Sequence, residues 1–246
     1  MADYFRLDAD RIVSTAQRLR QRVEQRFPDA GLARVAGELV RVAELAHQRA
    51  FRIARPNHAL RAAVLALIAL ILAGLVATAL SLRAPAEPLT LLAFIAALES
   101  GINDVVFIGV GVFFLVTAET RLKRHRALPA LGELRTIAHL IDMHQLTKDP
   151  EWVQPRGEET GFVERRPLTP FELARYLDYC SEMLSLTGKI AALYAQDLED
   201  GVVLAAVNEV EDLTTGLSRK VWQKLMILYA RKADAAEVGV PPAAPA

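Results

Sequence analysis

The chain has 246 residues, with 29 Lys and Arg against 29 Asp and Glu, so its formal net charge is zero. Hydrophobic residues make up 52% of the chain and the mean hydropathy is +0.22 although 24% of residues are charged, which indicates that the apolar residues are concentrated in part of the sequence. A single cysteine excludes an internal disulfide framework and a paired-cysteine zinc site, and the zero net charge gives no reason to expect nucleic acid as a partner.

The first 57 residues are rich in arginine and have the pattern of two amphipathic helices. Asp8 can cap a first helix, and Pro28–Asp29 ends it before a second helix from about residue 30 to residue 55. This pattern is not that of a signal peptide, so we expect the apolar segment that follows to act as an uncleaved anchor. The predicted buried face of the first helix comprises Ile12, Ala16, Leu19, Val23 and Phe27.

Residues 62–82 form an uncharged stretch of 21 residues between Arg61 and Arg83. At about 1.5 Å per residue the stretch is about 31 Å long, which matches the hydrocarbon core of a bilayer and predicts a transmembrane helix. Alanines recur along one face of it, and small residues allow helices to pack closely in lipid. We expect this alanine stripe to pack against glycines of a second span or, alternatively, to mediate self-association. The stripe comprises Ala62, Ala66, Ala69, Ala73 and Ala77, and the glycines are Gly101, Gly109 and Gly111.

A second apolar region, residues 89–118, is interrupted by polar side chains. Only 14 uncharged residues follow Asp104, about 21 Å of helix, which is too short for an ordinary span. We expect the second span to begin near Ser100 and to end at Glu119, with residues 89–98 as a separate short helix and the polar residues at the outer interface. The alternative is one long tilted helix that carries them into the bilayer, where they could line an ion path or hold a proton. These candidate site residues are Glu99, Asn103 and Asp104.

Basic residues flank both apolar regions, whereas the link between them has only Arg83, opposed by Glu87. The positive-inside rule therefore predicts a two-span hairpin with both termini in the cytoplasm, and the Ala- and Arg-rich composition suggests a bacterial inner membrane. The flanking cations could engage anionic lipid headgroups or serve only to set the topology. We expect Glu119 to pair with Arg121 and Lys123. The basic collar comprises Arg49, Arg52, Arg55, Arg61, Arg121, Lys123, Arg124 and Arg126.

Residues 128–148 are predicted to form a third cytoplasmic helix that carries the candidate metal ligands His139, Asp142 and His144. Imidazole and carboxylate suit zinc or iron, and the spacing of His139 and Asp142 allows both to share a helix face. His144 is five residues from His139, which places it on a different face. We therefore favour helix capping and hydrogen bonding between helices over metal binding as the role of these residues.

The predicted helix that follows Thr169 has the clearest periodicity outside the membrane. A polar loop over residues 149–168 precedes Thr169, which is followed by Pro170 and Glu172 and so predicts a capped helix start. Two adjacent apolar seams follow, which favours a multi-helix bundle over a two-stranded coiled coil and makes Cys180 a core residue. The seams comprise Leu173, Leu177, Cys180, Leu184, Thr187, Ala191, Tyr194 and Leu198, and Tyr176, Tyr179, Met183, Leu186, Ile190 and Leu193.

The final helix is predicted from residue 202 to about residue 232, followed by a disordered tail. The fold class is therefore all-α, a two-span transmembrane hairpin with a cytoplasmic bundle of amphipathic helices. We divide the chain into N-terminal cytoplasmic helices, a membrane hairpin with basic flanks, a C-terminal cytoplasmic bundle and a tail. The corresponding ranges are 1–57, 58–126, 127–235 and 236–246.

Amphipathic helices outnumber any catalytic constellation, so the leading hypothesis is a membrane-anchored scaffold or regulator that is not an enzyme. We expect it to act through its bundle on a protein partner or on further copies of itself. No Gly-rich phosphate loop has the required spacing, and we expect no cofactor. Two alternatives stay open: a small oligomeric channel or pore-forming effector using Glu99, Asn103 and Asp104, and a metal-dependent membrane enzyme using His139, Asp142 and His144.

Overall fold

A computed structural model describes residues 6–81, 91–148 and 168–237. All of the regular structure in these ranges is helical, which confirms the all-α prediction for this part of the chain. The helices are α1 (Ala9–Arg26), α2 (Gly31–Ala54), α3 (His58–Ser81), α4 (Leu91–Leu146), α5 (Pro170–Ala195) and α6 (Gly201–Glu237). The predicted loop at 149–168 falls outside the described residues except for Leu168. The final helix runs five residues beyond its predicted end, and the tail beyond Glu237 lies outside the described residues.

The chain divides into two compact units, one made of Met1–Ala54 with Arg126–Ala246 and the other of Arg55–His125. The first unit is a helical bundle in which α5 contacts α1, α2 and α6. The C-terminal part of α4 adds its own buried face to this core, from Ala127 to Ile141. The second unit contains α3 and the first part of α4.

The N-terminal pair of helices forms as predicted. Asp8 caps α1, because its Oδ1 accepts a hydrogen bond from the backbone N–H of Arg11 at 3.1 Å. The five residues of the predicted apolar face of α1 are all buried. Phe27, just after the helix, contacts the rings of Tyr176 and Tyr179 edge-on, with centroids 5.4 and 6.3 Å apart. These contacts hold the end of α1 against α5.

Helix α5 is the centre of the bundle, and its start and its seams are confirmed. Thr169 Oγ1 accepts from the N–H of Glu172 at 3.2 Å, and the Glu172 carboxylate accepts from the N–H of Thr169 at 2.9 Å. Every residue of the two predicted seams is buried. Gly188 allows α6 to approach closely, since a methyl group at this position would lie 3.2 Å from Thr214 Oγ1.

Helix α4 is one continuous helix, which corrects two predictions. The second apolar helix does not begin near Ser100 but at Leu91, and Leu128 does not begin a separate helix. Polar side chains at 99–104 interrupt the apolar run but not the backbone hydrogen bonds, which do not depend on side-chain polarity. Pro129 lies inside the helix and removes one donor to the carbonyl of His125; both residues are exposed, so water can satisfy that carbonyl.

The C-terminal end of α4 is tied to α6 through Lys224. Its Nζ donates to the carbonyl oxygen of Gln145 at 2.6 Å and to that of Lys148 at 3.2 Å. A cation at this end of a helix also interacts favourably with the helix dipole. No spacing in the sequence indicates this contact, because Lys224 is 79 residues from Gln145 and 76 residues from Lys148.

Two helical stretches, within Gly31–Gly74 and Gly101–Leu146, are long and apolar enough to cross a membrane. None of the residues in their most apolar windows is buried in the chain. Asn57 precedes the first of these apolar segments and caps α3, because its Oδ1 accepts from the N–H of Leu60 at 3.1 Å. A break that contains Pro56 and Asn57 separates α2 from α3, which confirms the predicted end of the second helix at about residue 55.

Candidate functional site

A charged cluster centred on Glu119 joins α3 to α4. The Glu119 carboxylate accepts from Arg61 Nε at 2.6 Å, from Lys123 Nζ at 3.1 Å and from the backbone N–H of Asn57 at 3.2 Å. Its side chain is only 15% exposed. The Arg61 guanidinium is the main reason that the pKa of Glu119 falls to about 2, so the carboxylate stays ionised at physiological pH.

This cluster confirms one predicted pairing and corrects another. Glu119 pairs with Lys123, as expected from their spacing of four residues. Arg121 instead donates from Nε to Thr117 Oγ1 at 3.2 Å and lies over the Phe114 ring, 4.5 Å from its centroid. The contact with Arg61, 58 residues away in the chain, was missed because no local spacing indicates it.

The candidate ion-path residues Glu99, Asn103 and Asp104 all lie on α4 and are exposed in the chain. Glu99 and Asn103 are four residues apart and share a helix face. Because α4 begins at Leu91, Glu99 lies within the second apolar helix rather than before it, together with Asn103 and Asp104. The continuous helix agrees with the long-helix alternative, whereas the position of these residues in a bilayer stays a prediction.

The predicted packing of the alanine stripe on the glycines of α4 is not found. A methyl group added at Gly101, Gly109 or Gly111 would meet no further heavy atom within 4 Å in the described part of the chain. The five alanines of the stripe are exposed. Among the described residues these glycines are therefore not in contact with the alanine stripe, and the predicted packing of one on the other is wrong for this part of the chain.

The residues of the basic collar differ in what they bind. Arg49 pairs with Glu133 at 3.2 Å, and Arg61 and Lys123 share Glu119, so these three cations already have carboxylate partners. Arg52 donates to the carbonyl of Gln48, one turn earlier in its own helix. Arg52, Arg55, Arg121 and Arg126 are also exposed. Arg55 and the less exposed Arg124 have contacts within the chain, as Arg52 and Arg121 do.

The three candidate metal ligands do not converge. Among the described residues, no group of three His, Cys, Asp or Glu side chains is arranged to hold a metal ion. His139 is exposed, Asp142 Oδ1 accepts from Gln145 Nε2 at 2.5 Å, and His144 lies against Gly31. The physical reason is the five-residue spacing, which turns His144 away from the face that His139 occupies.

His144 instead has a packing role at the start of α2. A methyl group at Gly31 would lie 2.3 Å from its Cε1 atom, so the ring occupies the space that a side chain would need. Burial is the main cause that lowers the pKa of His144 from 6.5, and the charges of Arg34 and Lys148 lower it further. The imidazole is therefore neutral at physiological pH.

A groove of about 1170 Å³ runs along the outer face of α5 between α1 and α6. Helix α5 contacts both neighbours, and α1 and α6 are not a contacting pair among the described helices, so α5 forms the floor and the other two form the walls. The floor extends from Asp178 to Lys189, about three helical turns. The groove is lined by Arg6, Leu7, Asp8, Arg11, Ile12, Thr15, Asp178, Ser181, Glu182, Ser185, Leu186, Lys189, Trp222 and Leu225.

An exposed apolar stripe borders this groove on α6. It comprises Trp222, Met226 and Tyr229, which are 60%, 50% and 49% exposed. Their spacings of four and three residues put them on one helix face. Sequence analysis did not single out these residues, because the buried face beside them dominates the periodicity of α6. Contiguous exposed apolar surface of this kind is typical of protein interaction sites.

Cys180 is the one cysteine of the chain and is fully buried in the bundle core. Burial raises the pKa of its thiol to about 12. The thiolate, which is the nucleophilic form, is therefore almost unpopulated near neutral pH. The prediction that Cys180 is a core residue is confirmed.

Comparison of the chain with protein-family models, with curated proteins and with solved structures gives no match.

Proposed function

We propose that this protein is a membrane-anchored scaffold or regulator that is not an enzyme. In this proposal α3 and the apolar part of α4 form a two-span hairpin in a bacterial inner membrane, and both termini are cytoplasmic. The helical bundle then presents the α1–α5–α6 groove and the α6 stripe to a protein partner or to a second copy of the chain.

The observation that carries the proposal is the exposed apolar surface of α3 and α4. Large apolar side chains on these helices have little cover within the chain: Val105, Phe107 and Leu70 are 72%, 75% and 69% exposed. Exposure of this extent in water would be costly, whereas a bilayer interior is as apolar as these side chains. The bundle, in contrast, has a continuous buried core of its own.

The charge distribution supports the proposed orientation. The basic collar lies before the first apolar segment and after the second, and the link between them carries Arg83 and Glu87. A cytoplasmic excess of Arg and Lys is the usual signature of orientation in short loops. The exposed collar cations would then lie beside anionic headgroups, which attract each cation by about 1 kcal/mol.

The test combines membrane extraction with cysteine labelling of the full-length chain. We expect the protein to stay in the membrane fraction in alkaline carbonate. Single cysteines at Gln21 and Asn208, both exposed on bundle helices, are expected to react with an impermeant maleimide only after cell lysis, whereas Ala86→Cys in the link reacts in intact spheroplasts. The unchanged chain, with buried Cys180, is the control. Extraction by carbonate, or labelling of Gln21→Cys and Asn208→Cys from opposite sides, would refute the proposal.

A channel or pore-forming role is the second candidate, and the Glu119–Arg61 ion pair favours it. The pair puts the inner ends of the two apolar segments at one level. Counting the 21 residues of the first segment back from Glu119 gives residues 98–118 as the matching length of α4. Asp104 is then about 9 Å inside the apolar layer, and Glu99 is at its outer edge. A carboxylate at such a depth is costly and is typical of ion or proton pathways.

Ion and proton flux in liposomes containing the purified chain tests this second candidate. Asp104→Asn is expected to reduce the flux strongly and Glu99→Gln to reduce it less. Asp212→Asn, exposed on α6 of the bundle, removes the same charge elsewhere and is the matched control. Absence of flux, or equal flux for Asp104→Asn and Asp212→Asn, would exclude this role.

A further inference from the structure

We infer that the α1–α5–α6 groove binds the α6 stripe of a second copy of this chain, so that two chains form a two-fold symmetric dimer centred near Trp222. The inference names the partner of the surface described above, and it rests on the proposed scaffold function. Anchoring in one membrane would also confine both copies to a plane and raise their local concentration.

The stripe has the form of a ligand for a groove. Trp222, Met226 and Tyr229 lie on one face of a long helix, the pattern by which an amphipathic helix docks its apolar side. Tryptophan and tyrosine are enriched among the residues that dominate binding energy at protein interfaces. Within a single chain these three side chains keep about half of their surface in water.

The groove has the form of a receptor for a helix. Its volume of about 1170 Å³ is larger than that of an ordinary small-molecule pocket, which is about 300–1,000 Å³. Ser181 and Ser185 on the floor have small side chains and leave room for a large aromatic ring. Leu186 on the floor and Leu225 on the α6 wall provide apolar contacts close to this space.

The position of Trp222 favours a second copy over a different protein. Trp222 belongs to the stripe and also lines the groove, so ligand and receptor surfaces adjoin at this residue. In a two-fold interface the same patch meets itself, and the residues nearest the axis contact their own counterparts. An axis beside Trp222 therefore places each stripe in the groove of the other copy.

The charges of the groove are compatible with such self-association. Its lining contains three basic side chains and three acidic ones, so two facing copies bring no excess of like charge together. A groove of one sign would repel its own copy and would select an oppositely charged partner. The charged lining residues are Arg6, Arg11, Lys189, Asp8, Asp178 and Glu182.

Disulfide crosslinking of the full-length chain in native membranes tests the contact. Copper phenanthroline as oxidant traps transient contacts covalently, so Trp222→Cys is expected to form a crosslinked dimer several-fold more than Gln223→Cys although loss of the indole ring weakens the dimer. Gln223 is the matched control, because it is the next residue of α6, is also exposed and points about 100° away. Both variants keep Cys180, so any crosslink that Cys180 forms also appears in the Gln223→Cys sample. Equal crosslinking of the two variants would overturn the inference.

Two further variants test the energetics in detergent solution by sedimentation. Trp222→Ala is expected to weaken the dimer by about tenfold or more. Ser185→Trp fills the floor of the groove from an exposed position and is expected to weaken it as well, whereas Thr136→Trp, exposed on α4 outside the groove, leaves it unchanged. A dimer that tolerates Ser185→Trp overturns the inference.

The outcomes separate this inference from the proposed function. A chain that remains in the membrane after carbonate treatment but stays monomeric overturns the dimer alone. The same holds if Trp222→Ala releases a different, co-purified protein while the chain itself is monomeric. A chain that carbonate extracts overturns the membrane scaffold, whatever the crosslinking shows.

Discussion

The contact of Gly31 with His144 predicts that Gly31→Ala destabilises the bundle. The new methyl group would lie 2.3 Å from Cε1 and 3.0 Å from Nε2 of the imidazole ring. The optimal separation of two non-bonded carbon atoms is about 3.5–4.0 Å, so the ring must move by more than about 1 Å. His144 is partly buried at the last turn of α4, which limits this movement.

Two effects of opposite sign determine how much Gly31→Ala changes the free energy of unfolding. Overpacking of a filled site costs about 1–3 kcal/mol, and replacing glycine by alanine in a helix contributes up to about 1 kcal/mol of stability. The repulsion is larger, so we expect a net loss of about 1–2 kcal/mol. Gly37→Ala in the same helix is the matched control: its methyl group meets only Arg20 Nε, at 4.0 Å, and is expected to stabilise the bundle by up to about 1 kcal/mol.

Urea unfolding of the full-length chain in mild detergent, followed by circular dichroism, measures these differences. The His144→Ala background isolates the contact, because Gly31→Ala is expected to cost nothing there. The double-mutant cycle then gives a coupling of about 1–3 kcal/mol. Equal stability of Gly31→Ala and Gly37→Ala, or the same cost of Gly31→Ala with and without the imidazole, would refute the reasoning.

Acid is expected to destabilise the bundle below about pH 6.5, because the pKa of His144 is lowered in the folded state and the unfolded chain binds the proton first. Urea midpoints at about pH 7.5 and about pH 5.5 measure this, and His144→Ala is expected to reduce the difference. Thr169→Ala is expected to cost about 1 kcal/mol in the same assay, because it removes the cap of α5, whereas Thr169→Ser keeps it; equal losses would contradict the capping role. Cys180 is expected to react with a maleimide only after unfolding, since burial raises its pKa to about 12, and rapid labelling of the folded chain would contradict its burial.

The elements that sequence analysis predicted best are those with local physical causes. The cap at Thr169 depends on a residue three positions away, and the two seams of α5 follow from a spacing of three and four residues. Both can be recognised without knowing what the helix contacts. The same holds for the cap at Asp8 and for the end of α2 just before Pro56.

Two helix starts that were placed from polar or basic residues inside α4, near Ser100 and at Leu128, were wrong. Glu99 and Asp104 interrupt the apolar run, and this interruption was interpreted as the start of a new helix. It indicates only that the side chains there are polar. A helix continues wherever its backbone hydrogen bonds can form, and residues 99–104 contain no proline to prevent this. Even Pro129 does not end α4, because the carbonyl that loses its partner is on an exposed turn.

The groove could not be predicted, because three helices from distant parts of the chain form it. The outer face of α5 carries Asp178, Ser181 and Lys189 at helical spacing, which resembles any solvated helix face. Only the walls supplied by α1 and α6 turn this polar face into the floor of a concave surface. The stripe at Trp222 was missed for a related reason, since the stronger buried periodicity of α6 lies beside it.

The proposed depth of Asp104 in a bilayer depends on a single contact that no spacing in the sequence indicates. Arg61 and Glu119 were each recognised as flanking an apolar segment, but 58 residues separate them and no spacing rule joins them. Their ion pair brings the start of one apolar segment beside the end of the other, and the proposed depth of Asp104 then follows from the rise of about 1.5 Å per residue. The backbone N–H of Asn57 and the ammonium group of Lys123 also bind the Glu119 carboxylate. The Asn57 contact adds a second link between this carboxylate and the start of α3. Because the Arg61 guanidinium lowers the pKa of Glu119 to about 2, the carboxylate keeps its charge, and with it this ion pair, across the physiological pH range.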